Sequence, residues 1–130
     1  GTEIATVPGV GSVTGAVMLA EIGDIDRFDS PKKLVAYAGL DPRLKQSGAF
    51  EGNRNRISKR GSPSLRRAFW MSAVVAVQFD PVFKALYEKK RGEGKAYGTA
   101  IGAVARKLVC VVYSVLKRRR PYEVRLSTAA

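Results

Sequence analysis

The chain has 130 residues, enough for one domain around a single hydrophobic core. Its apolar content of 45% is too high for a disordered chain, and the absence of histidine excludes a Ser-His-Asp triad or a Cys/His zinc site within it. A formal net charge of +12 destabilises a compact chain unless a polyanion offsets it, and nucleic acid or an anionic membrane surface is the usual partner.

The charge is distributed unevenly along the chain. Residues 1–30 carry a net charge of −4, whereas residues 31–130 carry +16. Such asymmetry indicates that the basic residues form a binding surface on one side of the protein. The single cysteine, Cys110, cannot form an internal disulfide, and we predict it to be a small core residue in a protein of a reducing compartment.

Two helices are predicted in the first 40 residues. The first covers residues 12–23 and has Ser12 as its cap. The second covers residues 31–39, because Ser30 followed by Pro31 is a typical helix start. The predicted buried face of the first helix consists of Val13, Ala16, Val17 and Ala20.

Three further helices are predicted after residue 61. One starts at Ser62-Pro63, runs to about residue 79 and is apolar on nearly every side, which favours a central buried helix with Trp70 in the core. The next starts at Asp80-Pro81 and ends near residue 91. The last covers residues 97–117 and follows the i, i+3, i+4, i+7 spacing of an amphipathic helix.

These elements predict an all-α fold of about five helices. Its N-terminal part resembles a helix-hairpin-helix motif whose first helix lies mostly ahead of residue 1. A long basic loop, which could include a short hairpin, joins the second and third helices. We predict one domain over residues 1–120 and a tail over 121–130. The longest apolar stretch, residues 69–79, is too short to span a membrane, so no membrane partner is expected.

A glycine-rich turn with the sequence VPGVG at residues 7–11 precedes the first helix. Such a turn exposes backbone N–H groups at the positive end of the helix dipole, and phosphate oxygens fit there. We therefore predict that Gly9, Val10 and Gly11 bind nucleic-acid phosphate. A plain helix-start turn is the main alternative. A dinucleotide fingerprint is disfavoured because no strand precedes these glycines.

Residues 43–67 hold eight basic residues and one acid. Like charges repel, and two of these cations lie in the first turn of a predicted helix, where the macrodipole disfavours them. An anionic ligand explains such a cluster better than local stability does, although a solvated basic face remains an alternative. The predicted phosphate-binding cations are Arg43, Lys45, Arg54, Arg56, Lys59, Arg60, Arg66 and Arg67.

Ser47 precedes Gly48 within this basic segment. A serine hydroxyl is a weak nucleophile unless a base or strong charge stabilisation activates it. The surrounding cations could stabilise charge on a phosphodiester, but no base is evident. From spacing alone, a turn serine that bonds to its own backbone is the favoured interpretation.

Two other charged groups have mainly structural interpretations. The acids around the end of the first helix could suggest a metal site, but helix capping and solvated surface are favoured; they are Glu21, Asp24, Asp26 and Asp29. The basic run at residues 117–120 suits a helix C-terminus and could equally contact phosphate. No metal site is predicted within the chain.

Several short motifs occur in an order that resembles one protein family. They are VPGVG at residues 7–11, EIGD at 21–24, RF at 27–28, AGLDP at 38–42, QSG at 46–48, ISKRG at 57–61 and LR at 65–66. Together they resemble the C-terminal domain of transposases of the insertion sequence 110 family (the 110/116/902 group) over roughly residues 1–120. Gly15 departs from the pattern, where alanine is expected.

The resemblance implies a DNA recombinase guided by a bridge RNA and active as an oligomer in the bacterial or archaeal cytoplasm. It implies that Ser47 is the nucleophile that attacks a DNA phosphodiester. It also implies a RuvC-like domain, absent from this chain, whose carboxylates hold a divalent metal such as Mg²⁺ and activate the hydroxyl. The chain is then a fragment that needs no cofactor of its own and is inactive alone. A non-catalytic nucleic-acid-binding module or an oligomerisation module is the alternative.

Overall fold

The computed structural model of the chain describes residues 2–42 and 61–123. Over these two ranges the chain forms five α-helices and no β-strand, which confirms the predicted all-α class. The hairpin considered for the basic loop lies outside the described residues. The helices are α1 (Ser12–Ile22), α2 (Pro31–Tyr37), α3 (Pro63–Phe79), α4 (Pro81–Gly92) and α5 (Tyr97–Arg118), and 3-10 helices form at Thr2–Thr6 and Ile25–Arg27.

Three helices begin where the sequence predicts, each with a capping side chain followed by proline. The Ser30 hydroxyl accepts a hydrogen bond from the Lys33 N–H at the start of α2. Ser62 caps α3 in the same way, and the Asp80 carboxylate accepts two backbone N–H groups at the start of α4. These starts are confirmed because the signal is local and needs no tertiary contact.

Helix α5 lies at the centre of the fold. It packs against α2, α3, α4 and both 3-10 helices. The Tyr113 hydroxyl on α5 donates a 3.0 Å hydrogen bond to the Phe28 carbonyl and so ties the segment before α2 to the core. The largest fully buried side chains are Phe69, Phe83, Met18, Ile22, Leu34, Leu65, Ile101 and Leu108.

The prediction that α3 is the central buried helix is wrong. Its inner side is buried, but Met71 is 61% exposed and Phe79 is 79% exposed, with Val75 between them. Helix α3 packs against α1, α4 and α5, but these three helices do not surround it. Because α3 is apolar on nearly every side, some of its apolar side chains stay exposed. An exposed apolar row at i, i+4 and i+8 therefore remains on α3.

The predicted buried face of α1 is also wrong. Gly15, Met18 and Ile22 are the buried residues of this helix, whereas Val13 is 78% exposed and Val17 is 38% exposed. We call the exposed residues on these two neighbouring helices the apolar stripe: Val13 and Val17 on α1, and Met71, Val75 and Phe79 on α3.

Two single-residue predictions also need correction. Cys110 is exposed rather than a core residue. Partial desolvation still raises the pKa of its thiol, which keeps the thiol protonated at neutral pH. Trp70 is only partly buried, in contrast to its fully buried neighbour Phe69.

By length and composition α5 could cross a membrane, and α3 and α4, which meet at a bend of 99°, pass the same test as a pair. More than half of the apolar window of α5 is buried inside the protein, as expected of a core helix. At the end of the described chain, the Tyr122 N–H donates to the Thr6 hydroxyl at 2.7 Å. The first residues of the predicted tail therefore contact the N-terminal 3-10 helix.

Candidate nucleic-acid interface

The structure describes five of the residues predicted to bind nucleic acid. Gly9, Val10 and Gly11 form the turn before α1, and Arg66 and Arg67 lie near the start of α3. The remaining predicted site residues lie outside the described part of the chain: Ser47, Arg43, Lys45, Arg54, Arg56, Lys59 and Arg60.

Gly9 fixes the turn against the backbone of α3. It has a φ of +83°, a conformation that favours glycine. A Cβ atom at this position would lie 2.2 Å from the carbonyl oxygen of Ser72 and 3.1 Å from the backbone nitrogen of Ala76. The turn and α3 therefore approach too closely for any side chain, so Gly9 has a structural role whatever the turn binds.

Val10 also serves the packing of the turn. Its side chain is 4% exposed and its N–H donates to the Val7 carbonyl at 3.0 Å. By contrast, Gly11 is exposed, with no atom within 4 Å of a Cβ built there. Gly11 is the N-cap residue of α1 and provides no side-chain cap, so the predicted cap at Ser12 is wrong. The backbone N–H groups that open α1 follow directly after Gly11.

The departure at Gly15 has a structural explanation. A Cβ atom at Gly15 would lie 3.1 Å from Cγ2 of Ile4 and 3.4 Å from Cγ1 of Val10. The residues before the turn thus pack onto the backbone of α1 at this position. Gly15 permits the 3-10 helix Thr2–Thr6 to lie close to α1.

The described residues on either side of 43–60 are held together by hydrogen bonds. The Ser62 N–H donates to the Tyr37 carbonyl at 2.8 Å, which joins the start of α3 to the end of α2. The Ser62 hydroxyl accepts from the Leu65 N–H and donates to Glu21 Oε1 at 2.6 Å. The described residues on either side of 43–60 therefore come together at one place, next to the end of α1.

Arg66 and Arg67 are exposed on the second turn of α3, beside that place. The stem of Arg66 packs over Gly39, where a Cβ atom would lie 3.3 Å from Cδ of Arg66. Gly39 has a φ of +74° and follows the end of α2. Arg66 thus lies beside residues 39–42, which precede the basic segment.

Arg106 on α5 is a cation of this region that the sequence analysis missed. Its Nη1 donates to the Leu40 carbonyl at 3.4 Å, and it lines one pocket together with Arg66 and Trp70. The only sequence signal was a pair of cations, Arg106 and Lys107, that interrupts the long apolar pattern of α5. Periodicity alone does not show which helix such a cation faces.

The acidic residues near the end of α1 have structural roles. Glu21 accepts the bond from Ser62, and the Asp24 carboxylate caps the second 3-10 helix through the Asp26 N–H. Asp26 forms a 2.7 Å ion pair with Lys117, and this hydrogen bond and the lysine charge lower the pKa of Asp26. Within residues 2–42 and 61–123, no group of three or more acidic or cysteine side chains could hold a metal ion.

The basic run at the end of α5 is divided between two environments. Lys117 is engaged by Asp26, which raises the pKa of Lys117. Arg119 adopts the left-handed conformation that ends the helix, with a φ of +58°. Arg118 and Arg120 line a separate groove of about 280 Å³, which also includes Lys107 and Tyr122.

Comparison with known proteins places the chain among transposases. The sequence profile described as "Transposase IS116/IS110/IS902 family" matches residues 1–88. The pilin gene-inverting protein of Moraxella bovis is 38% identical over 125 residues, which cover 95% of this chain and 38% of that protein. The 42 kDa protein of insertion element IS900 from Mycobacterium paratuberculosis is 37% identical over 98% of this chain and 32% of its own length. The transposase for insertion sequence element IS1111A from Coxiella burnetii is 32% identical over 92% of this chain and 34% of its own length.

Residues 2–42 and 61–123 form a helical, basic domain, with Arg66 and Arg67 exposed on α3. The chain belongs to the IS116/IS110/IS902 family of transposases, because the family profile matches more than half of it. It spans only 32% to 38% of the length of these three relatives.

Proposed function

We propose that the chain is the DNA-binding and serine-bearing part of a transposase, and that it takes part in DNA strand exchange. The observation that carries the proposal is the family match over residues 1–88, which includes Ser47 and the basic segment around it. The names of two relatives, a pilin gene-inverting protein and a transposase, both describe DNA rearrangement and support this proposal.

In the proposed reaction the Ser47 hydroxyl oxygen attacks the phosphorus of a DNA phosphodiester. A bond from phosphorus to serine forms, a bond to one bridging oxygen breaks, and the leaving oxygen takes up a proton. The phosphoserine link conserves the bond energy, so that a strand hydroxyl can later displace the serine and rejoin the DNA. Cations around the phosphate stabilise the charge that develops on its oxygens.

The proposed phosphate-binding groups belong to three parts of the chain. Arg66 and Arg67, the last two cations of the basic segment, are exposed on α3. The turn at Gly9, Val10 and Gly11 would present the first N–H groups of α1 to a second phosphate. The cations of the segment itself complete the proposed set: Arg43, Lys45, Arg54, Arg56, Lys59 and Arg60.

The proposed reaction needs a proton acceptor for Ser47. We propose that it lies in a RuvC-like domain of the longer protein, where carboxylates would bind Mg²⁺ and supply both charge neutralisation and a base. The residues of this chain would position the DNA strand and hold the serine. The fragment alone is then expected to bind DNA without cleaving it.

We also propose that the full-length protein works with a guide RNA and as an oligomer in the bacterial or archaeal cytoplasm. The apolar stripe on α1 and α3 supports a contact with another protein surface, because it leaves five large apolar side chains exposed on adjacent helices. This observation would also fit the alternative of a non-catalytic binding or oligomerisation module.

The salt dependence of DNA binding tests the binding half of the proposal. We expect the logarithm of the association constant to fall by about 0.9 for each tenfold rise in salt and each phosphate neutralised. Replacing both Arg66 and Arg67 with glutamine should reduce that slope by about two. The matched control is the exposed pair Lys84 and Lys89 on α4, whose replacement should leave the slope unchanged. Absence of salt-dependent binding would contradict the proposal.

A further inference from the structure

A pocket of about 150 Å³ lies where three segments meet: the chain after α2, the second turn of α3 and the first half of α5. Residues 39–42, which lead directly into the basic segment, form one wall. Arg66 and Trp70 of α3 form another, and Thr99, Gly102 and Arg106 of α5 complete it. The pocket is therefore lined by the residues that directly precede the basic segment, which includes Ser47.

Two guanidinium groups from different helices line this pocket. Arg66 is positioned by its contact with Gly39, and Arg106 by its bond to the Leu40 carbonyl. That bond uses one of the five N–H donors of the Arg106 guanidinium. The ion pairs Lys90–Glu93 and Lys117–Asp26 do not involve either arginine. Among the described lining residues one is acidic, Asp41, and two are basic, Arg66 and Arg106.

Trp70 gives the same pocket an aromatic wall. It follows Arg66 by four residues and so lies on the same face of α3. Gly102 lies opposite, where a Cβ atom would be 3.8 Å from Cζ3 of Trp70 and 3.5 Å from Nη1 of Arg106. The missing side chain at Gly102 therefore leaves room between the indole ring and the guanidinium group.

We propose that this pocket binds one unstacked nucleotide of the DNA strand on which the protein acts. The phosphate would bind Arg66 and Arg106, since guanidinium groups recognise phosphate through paired, charge-assisted hydrogen bonds. The sugar or base would contact the indole of Trp70, because aromatic side chains stack on bases of single strands. The inference rests on the proposed DNA-binding function and adds Arg106 and Trp70 to it.

Trp70 is the only tryptophan of the chain, so its fluorescence reports on this pocket directly. We would titrate the chain with a single-stranded oligothymidine and follow tryptophan emission, and follow total binding by the anisotropy of a labelled oligothymidine. We expect saturable quenching in the wild type. Arg106→Gln should raise the dissociation constant for quenching about tenfold, because a charge-assisted contact is lost.

Gly102→Ala is the sharper variant because the added methyl group has ordinary contact distances in this helix. Alanine also favours a helix interior over glycine, so the fold should be retained. The methyl group would narrow the pocket between Trp70 and Arg106 and weaken quenching. The matched controls are Gly92→Ala, where nothing lies within 4 Å, and Arg91→Gln, whose Nη1 also bonds to one backbone carbonyl at 3.4 Å. Both controls should behave as the wild type.

The outcomes separate this inference from the proposed function. If anisotropy reports binding while Trp70 emission does not change, the pocket does not bind nucleotide and the inference fails, but DNA binding stands. If quenching occurs only with an oligouridine RNA, the assignment to the DNA strand is overturned. If neither readout detects oligothymidine or duplex DNA, the proposed function fails together with the inference.

Discussion

The hydroxyl of Ser62 donates a 2.6 Å hydrogen bond to the carboxylate of Glu21, across 41 positions of sequence. The same hydroxyl accepts the Leu65 N–H and so caps α3. One buried side chain therefore joins the end of α1 to the start of α3, four residues before Arg66. The position of Arg66, proposed above to bind phosphate, depends on this junction.

Ser62→Ala removes both bonds and should lower the free energy of unfolding by about 2 kcal/mol, from the lost cap and the unpaired carboxylate. Chemical denaturation measures the change. Ser30→Ala is the control, because Ser30 also caps a helix but its bond to the Lys33 N–H is longer, at 3.4 Å, and exposed. Equal losses in the two variants would contradict a special role for the Glu21 bond.

Gly9→Ala should destabilise the protein by about 3 kcal/mol, since it combines an unfavourable positive φ with overlap against the backbone of α3. Thermal or denaturant unfolding checks this value. Gly94 provides the matched control: it has a φ of +87° but no atom within 4 Å of an added Cβ. Gly94→Ala should therefore cost only about 1 kcal/mol. A Gly9 variant as stable as the Gly94 variant would show that the turn can move away from α3.

Gly11 allows the predicted phosphate contact of the turn to be tested without damage to the fold. Asp and Asn are similarly good N-cap residues, so both substitutions should stabilise α1 by a few tenths of a kcal/mol relative to Gly. Only Gly11→Asp adds a negative charge, and it should weaken DNA binding about threefold at low salt. Affinity is measured by anisotropy. Equal binding by the Asp and Asn variants would remove the turn from the interface.

The ion pair between Asp26 and Lys117 should make stability depend on pH in acid. The hydrogen bond from Lys117 holds the pKa of Asp26 below its ordinary value of 3.8. A lowered carboxyl pKa contributes stability above the unfolded pKa, and this contribution disappears as the pH falls through the folded pKa. The melting temperature of the wild type should therefore exceed that of Asp26→Asn at neutral pH, and the two melting temperatures should converge as the pH falls below the folded pKa of Asp26. A gap that persists in acid would contradict this account.

Local signals predicted the helix starts well. Ser30-Pro31, Ser62-Pro63 and Asp80-Pro81 each act within one helical turn, so the start of each helix could be predicted without knowledge of the fold. The buried face of α1 could not. Its sequence is apolar around most of the helix, so Val13 and Met18 were equally good core candidates until the neighbours of α1 were known.

The candidate site was predictable only in part. The charge of Arg66 and the family motifs are properties of the sequence, and they pointed to nucleic acid. The approach of Gly9 to Ser72, and of Arg106 to the end of α2, joins residues more than 60 positions apart. Such contacts depend on how the helices pack, which no local pattern determines.

The central claim is that Ser47 forms a covalent link to DNA. The most direct measurement is to incubate the complete transposase, with its guide RNA and donor DNA, and to look for a DNA–protein adduct under denaturing conditions. The control for Ser47→Ala is Ser64→Ala, which removes an exposed serine at the start of α3. We predict an adduct in the wild type and in Ser64→Ala, and no adduct in Ser47→Ala although that variant still binds DNA. An adduct that survives in Ser47→Ala would contradict the claim and leave the chain as a phosphate-binding platform.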